Sequence, residues 1–133
     1  MRGTNWISPL FWFAALYDGV LGLAFLLVPT RLFAAFEVTP PNHLGYVHFP
    51  AALLLIFALL FVAIARAPLA GRQLIIYGIL LKVAYCLVAG GHWATTDIPV
   101  MWKPFVIIDF IMGVLFVWAY WALAQQPRAP VTE

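Results

Sequence analysis

The chain has 133 residues, 65% of them hydrophobic and 9% charged, with a formal net charge of +2 and a mean hydropathy of +1.00. A soluble domain carries about 25% charged residues, so a water-facing globular surface is excluded and a single membrane-embedded domain over residues 1–133 is expected. The lone Cys86 leaves no internal disulfide or multi-cysteine centre, and the small net charge without a basic run argues against a nucleic-acid partner.

The first apolar run, Pro9–Val28, reaches the roughly 20 residues that a spanning helix needs. Asp18 interrupts it and no small-x-small cleavage site follows, so it reads as a span and not as a cleaved leader. Pro29-Thr30 ends it. In Arg31–Val38, Leu32, Phe33 and Phe36 lie between Arg31 and Glu37, a pattern that predicts a short helix in the membrane interface. Thr39-Pro40-Pro41-Asn42 then precedes a second span, Tyr46–Ala65. Pro50 is tolerated in the first turn of a helix that starts near Phe49, but kinks one that starts at an Asn42 cap, and the expectation leans to the kink.

Ala67-Pro68-Leu69-Ala70-Gly71 separates the second span from a third, Leu74–Gly91. Trp93 and Trp102 bracket Ile98–Met101, which places this loop at headgroup depth. Ile98-Pro99 and Lys103-Pro104 introduce the fourth span, Phe105–Ala124, and the polar, proline-broken tail after Gln125 is expected to be a loose end. The period-2 alternation of a barrel strand is absent, and backbone groups in hydrocarbon must bond within their own segment. The expected fold is all-α: an integral membrane four-helix bundle with a short interfacial helix after the first span. Both termini and the middle turn then share one side, with Arg2, Arg66, Arg72 and Arg128, against Arg31 and Lys103 on the other. The positive-inside rule predicts cytoplasmic termini, in the inner membrane if the source is a bacterium.

Asp18, Lys82 and Asp109 lie inside the spans, where each ionisable group costs roughly 2.5–3.5 kcal/mol at a helix centre. Asp18 and Lys82 share a depth near the bilayer midplane, which predicts an ion pair between the first and third spans. Asp109 enters from the other side and lies higher, within reach of the Lys82 stem. Such a group is either a tie between helices or a polar site for a ligand head or a proton. Gly78, Lys82, Tyr85, Ala89 and His92 follow one helical face from midplane to surface, a polar stripe that favours a cavity. Ala15, Gly19 and Gly22 put small residues beside Asp18, where helices can approach closely. The candidate ligand or ion-pair residues are therefore Asp18, Lys82, Asp109, Tyr85, His92 and His48, with the space between Lys82 and Asp109 favoured.

His43, His48 and His92 match no compact metal signature, and no metal is expected. Ser8 is the only serine and no G-x-S-x-G occurs, which leaves a serine triad without support. Conduction needs a polar path through both leaflets, and the half towards the termini is nearly bare of polar residues.

Tyr17-x-Gly19-x-x-Gly22, then Leu26-Leu27-x-Pro29, and Tyr77-Gly78 at the start of the third span resemble the DoxX-like group of small four-helix membrane proteins. That resemblance implies a four-helix fold and, for some members, quinone-linked oxidation of sulfur compounds; the single cysteine here lends the sulfur chemistry nothing. In helix number the chain is also similar to the four-helix sterol isomerase and sigma-type receptor fold, the EXPERA group. Members of that group set buried acids against an amphipathic ligand's amine or a developing cation; Lys82 beside the acids departs from that pattern. Two functions are expected from the whole. The first is a small membrane binding or accessory protein in contact with lipid, working with other membrane subunits or as a homo-oligomer. The alternative is an enzyme or redox component acting on a quinone, lipid or sterol-like molecule, with Lys82 donating to a carbonyl or phosphate.

Overall fold

The computed structural model describes residues 2–127, and the expectations for Arg128 and the end of the tail lie outside that range. After a 3-10 turn at Arg2–Thr4 come five helices: α1 (Ile7–Leu27), α2 (Pro29–Ala35), α3 (Gly45–Arg66), α4 (Arg72–Thr95) and α5 (Lys103–Ala124). Four of them are long and apolar enough to cross a bilayer, at 21, 22, 24 and 22 residues. A rise of ~1.5 Å per residue makes them about 32–36 Å long, enough for a hydrocarbon core of about 30 Å. No strand occurs among the described residues. The chain is a multi-pass membrane protein built as an all-α four-helix bundle.

Each long helix buries one stripe. In α1 the buried positions are Ile7, Phe11, Ala14, Ala15, Asp18, Gly22 and Phe25, and in α5 they are Asp109, Met112, Phe116, Ala119 and Leu123. Both sets follow the three-and-four spacing of a core-facing stripe. The outward faces carry Phe13, Leu16, Leu59, Leu87, Trp118 and Trp121, the composition that lipid tails accept.

Around the bundle the order is α1, α3, α4, α5, with α1 on α3 and α4 on α5 the most closely packed pairs. All neighbours run antiparallel. Ser8 donates to the Ala65 carbonyl at 2.7 Å, and Arg72 Nε donates to the Tyr120 carbonyl at 3.0 Å with its guanidinium over the Tyr120 ring. Gly22 explains the close α1–α3 contact. A Cβ built there would stand 2.8 Å from the Ala51 carbonyl oxygen, so only a glycine lets these backbones meet.

The half of the bundle near the termini is a packed core of Ile7, Phe11, Phe61, Ile64, Ile75 and Phe116. Phe11 stacks on Phe116 at 4.6 Å, and Phe61 fits over Gly78. The opposite half, towards the 36–44 and 96–102 loops, holds a second cluster of Phe25, Phe33, Ala51 and Met101, flanked by Trp102.

The structure differs from expectation at three joints. The second span starts at Gly45, without a side-chain cap, and not at Asn42; Pro50 lies inside it. The third span continues to Thr95, so Trp93 ends a helix instead of opening a loop. The short helix begins at Pro29, one residue after α1, and turns Phe33 inward onto Phe25 and Trp102 while Phe36 stays exposed. Proline at its first position, where the missing N–H costs nothing, accounts for the early start.

Candidate functional site

Asp18, Lys82 and Asp109 occupy core positions of their helices. Asp18 continues the Phe11, Ala14, Ala15 stripe of α1; Lys82 follows Ile75 and Gly78 on α4; Asp109 heads the Met112, Phe116 stripe of α5. The helical spacing that buries the apolar residues therefore buries these three as well and aims them at one another. Lys82 Nζ donates to Asp18 Oδ1 at 3.2 Å and to Asp109 Oδ1 at 3.0 Å, with Asp18 Oδ2 at 3.5 Å. The expected pair is thus a triad in which one ammonium ties α1, α4 and α5. Asp109, expected to lie higher but within reach of the Lys82 stem, makes the shorter of the two contacts.

The aromatic surroundings suit a cation. Lys82 Nζ lies 5.4 Å from the Tyr17 ring centre and 5.8 Å from that of Phe61, within the range of cation–π attraction. Gly113 of α5 faces the base of the lysine stem, where an added Cβ would come within 3.3 Å of Lys82 Cβ.

A cavity of about 750 Å³ opens on the loop side of the triad. Its walls are apolar, with Leu21 and Phe25 from α1, Leu54 and Phe57 from α3, Leu81 from α4 and Phe105 from α5 among them. Its polar floor is Asp18, Asp109 and Tyr17; towards the loops it is bordered by Phe33, Val38, Pro99 and Trp102. Lys82 is 1% exposed and forms no part of the wall, because the two carboxylates it binds stand in front of it. On the other side of the triad the Phe11, Phe61 and Phe116 rings pack together and close the bundle.

Of the remaining candidates, Tyr85 lines the cavity and its hydroxyl donates to the Trp102 carbonyl at 3.3 Å. His48 and His92 do not border it. His92 is exposed near the end of α4, and His48 is half-buried in the first turns of α3, away from both carboxylates. The polar stripe of α4 faces the bundle at Gly78, Lys82 and Tyr85, whereas His92 at its far end is exposed. Among the described residues no group of three His, Cys, Asp or Glu is arranged to hold a metal ion.

Tyr17 was legible in the sequence only as part of a glycine motif. Its hydroxyl is buried and makes no hydrogen bond, the one such side-chain atom among the described residues. A hydroxyl-bearing aromatic at midspan, next to Asp18, is the signal that marks it. Phe25, Phe33 and Trp102 carry no comparable signal, since their convergence depends on how α2 folds back.

No family model matches this sequence, and no curated protein or solved structure matches it either.

Proposed function

We propose that this protein binds a lipophilic molecule in the cavity between its four spans, with the polar end of that molecule against Asp18 and Asp109. The observation that carries this reading is the 750 Å³ cavity with apolar walls and a carboxylate floor. Its size falls within the roughly 300–1,000 Å³ of small-molecule sites, which pair apolar walls with a few placed polar groups. A triad that served only to tie helices would need no space beside it. A quinone, a lipid and a sterol-like molecule are the ligand classes in view.

With no extramembrane domain among the described residues, anything done with the ligand beyond holding it falls to other membrane subunits or to further copies of the chain. The arginine distribution supports cytoplasmic termini, so that the cavity lies in the outer half of the membrane. Helix number and the glycine-lined α1 support the DoxX-like grouping as a proposal. A second reading, an enzyme or redox component acting on the same lipophile, is favoured by one observation: the Asp109 carboxylate borders the cavity, placed to exchange a proton with a bound head.

Photolabelling tests the binding reading. A dodecyl diazirine is expected to label wall residues Leu21, Leu54 and Phe105, and Leu54→Trp to reduce labelling at Leu21 and Phe105. Labelling confined to lipid-facing residues such as Leu59 and Trp118 would count against it.

A further inference from the structure

We infer that the cavity selects a lipophile whose head donates hydrogen bonds, an alcohol or an ammonium, over one whose head only accepts them or is anionic. This rests on the binding reading above and specifies its ligand.

The triad holds one cation and two carboxylates. The cation is withdrawn: Lys82 is 1% exposed, bonded to both acids and absent from the cavity wall. A ketone, carboxylate or phosphate head therefore cannot reach the ammonium without breaking a contact of 3.0–3.2 Å. What the cavity presents instead is acceptor oxygen. Asp109 gives Oδ1 to Lys82, its Oδ2 has no protein donor among the described residues, and its side chain keeps 10% exposure against 1% for Asp18. Tyr85 has already committed its proton to the Trp102 carbonyl.

Tyr17 has the other free polar atom, a buried hydroxyl without a partner. A ligand hydroxyl satisfies both, donating to Asp109 Oδ2 and accepting from Tyr17. An ammonium donates to the carboxylate and offsets the surplus negative charge, so it does not depend on the Tyr17 oxygen. A ketone satisfies Tyr17 alone and leaves Asp109 Oδ2 without a donor in low dielectric, which is the costly outcome. A carboxylate or phosphate adds repulsion.

The test compares dodecanol, dodecylamine, 2-dodecanone and dodecanoate for equilibrium binding to the full chain in a nonionic detergent. These probes share a chain and differ in the head. Dodecanol or dodecylamine is expected to bind about tenfold or more tightly than the ketone and the carboxylate, the span of a hydrogen bond to a charged group. Tyr17→Phe leaves the triad intact and is expected to weaken dodecanol about three- to tenfold while sparing dodecylamine. Asp109→Asn, where it folds, is expected to shrink the preference for donors.

Ketone or carboxylate binding as tight as the alcohol and the amine would overturn the inference while leaving the cavity a lipophile site. Absence of binding by all four probes would overturn both.

Discussion

At the residue scale the structure turns on Lys82. It bonds to two carboxylates in a medium where each of the three alone is costly, and breaking a buried pair by removing one partner costs about 3–5 kcal/mol. Lys82→Met strands Asp18 and Asp109 together and is expected to fall in this range, read from unfolding in mixed micelles. Asp18→Asn leaves the 3.0 Å Lys82–Asp109 contact and is expected to cost less than Lys82→Met. Equal losses would contradict the shared role of the lysine. Depth counting along the spans made the Asp18–Lys82 contact legible, and stem length made Asp109 reachable. That Lys82 serves both acids and hides behind them was not legible, because it depends on how far α5 leans towards α1. A separate residue-scale test lies outside the membrane. The hydrogen bond from Lys103 and then that from the Ile98 amide hold the Asp97 carboxyl below the usual carboxylate range. A carboxyl lowered by folding contributes above its unfolded pKa, about 3.9, and loses that contribution as pH falls through the lower folded value. The Ile98 amide resonance should therefore titrate with a midpoint below that of a free aspartate; a midpoint at or above it would show the contacts absent.

At the scale of elements, one face of α1 makes the bundle. Gly22 touches the α3 backbone, whereas a Cβ at Gly19 would meet Ala58 Cβ at an ordinary 3.6 Å. Gly22→Ala is expected to destabilise by about 1–3 kcal/mol as α3 is pushed away. Gly19→Ala should be neutral or gain up to about 1 kcal/mol from helix propensity. The same loss at both positions would mean that α1 and α3 do not meet where the structure places them. The sequence marked both glycines as small residues for close approach, but periodicity alone could not separate them. Only the register with Ala51 and Ala58 does that. Likewise Arg31–Val38 was readable as a short amphipathic helix, while its fold back over Phe25 and Trp102 depends on the one-residue break at Val28.

For the whole molecule, four apolar runs and their proline-marked joints made the helix count and antiparallel order legible, because length and hydropathy in a bilayer leave few alternatives. The terminal side is expected to be continuous. In a Cys86→Ala background, Thr4→Cys and Gln126→Cys should react with an impermeant thiol reagent from one side of sealed vesicles, and Pro41→Cys from the other. Reaction of Thr4→Cys and Pro41→Cys from the same side would contradict a four-span path. The cavity was anticipated only as a polar stripe on α4. Its volume arises because the aromatic core fills the terminal half and the Phe25–Phe33–Trp102 cluster roofs the other, leaving space above the triad. Lipophiles retained by the protein after purification in mild detergent, identified by mass spectrometry, test that space most directly. The account predicts a lipophile retained in equimolar amount by the natural chain and retained less by a folded Leu54→Trp variant, whose indole projects from the cavity wall into the space a ligand would take. The same lipophiles in the same amounts on both proteins would contradict it.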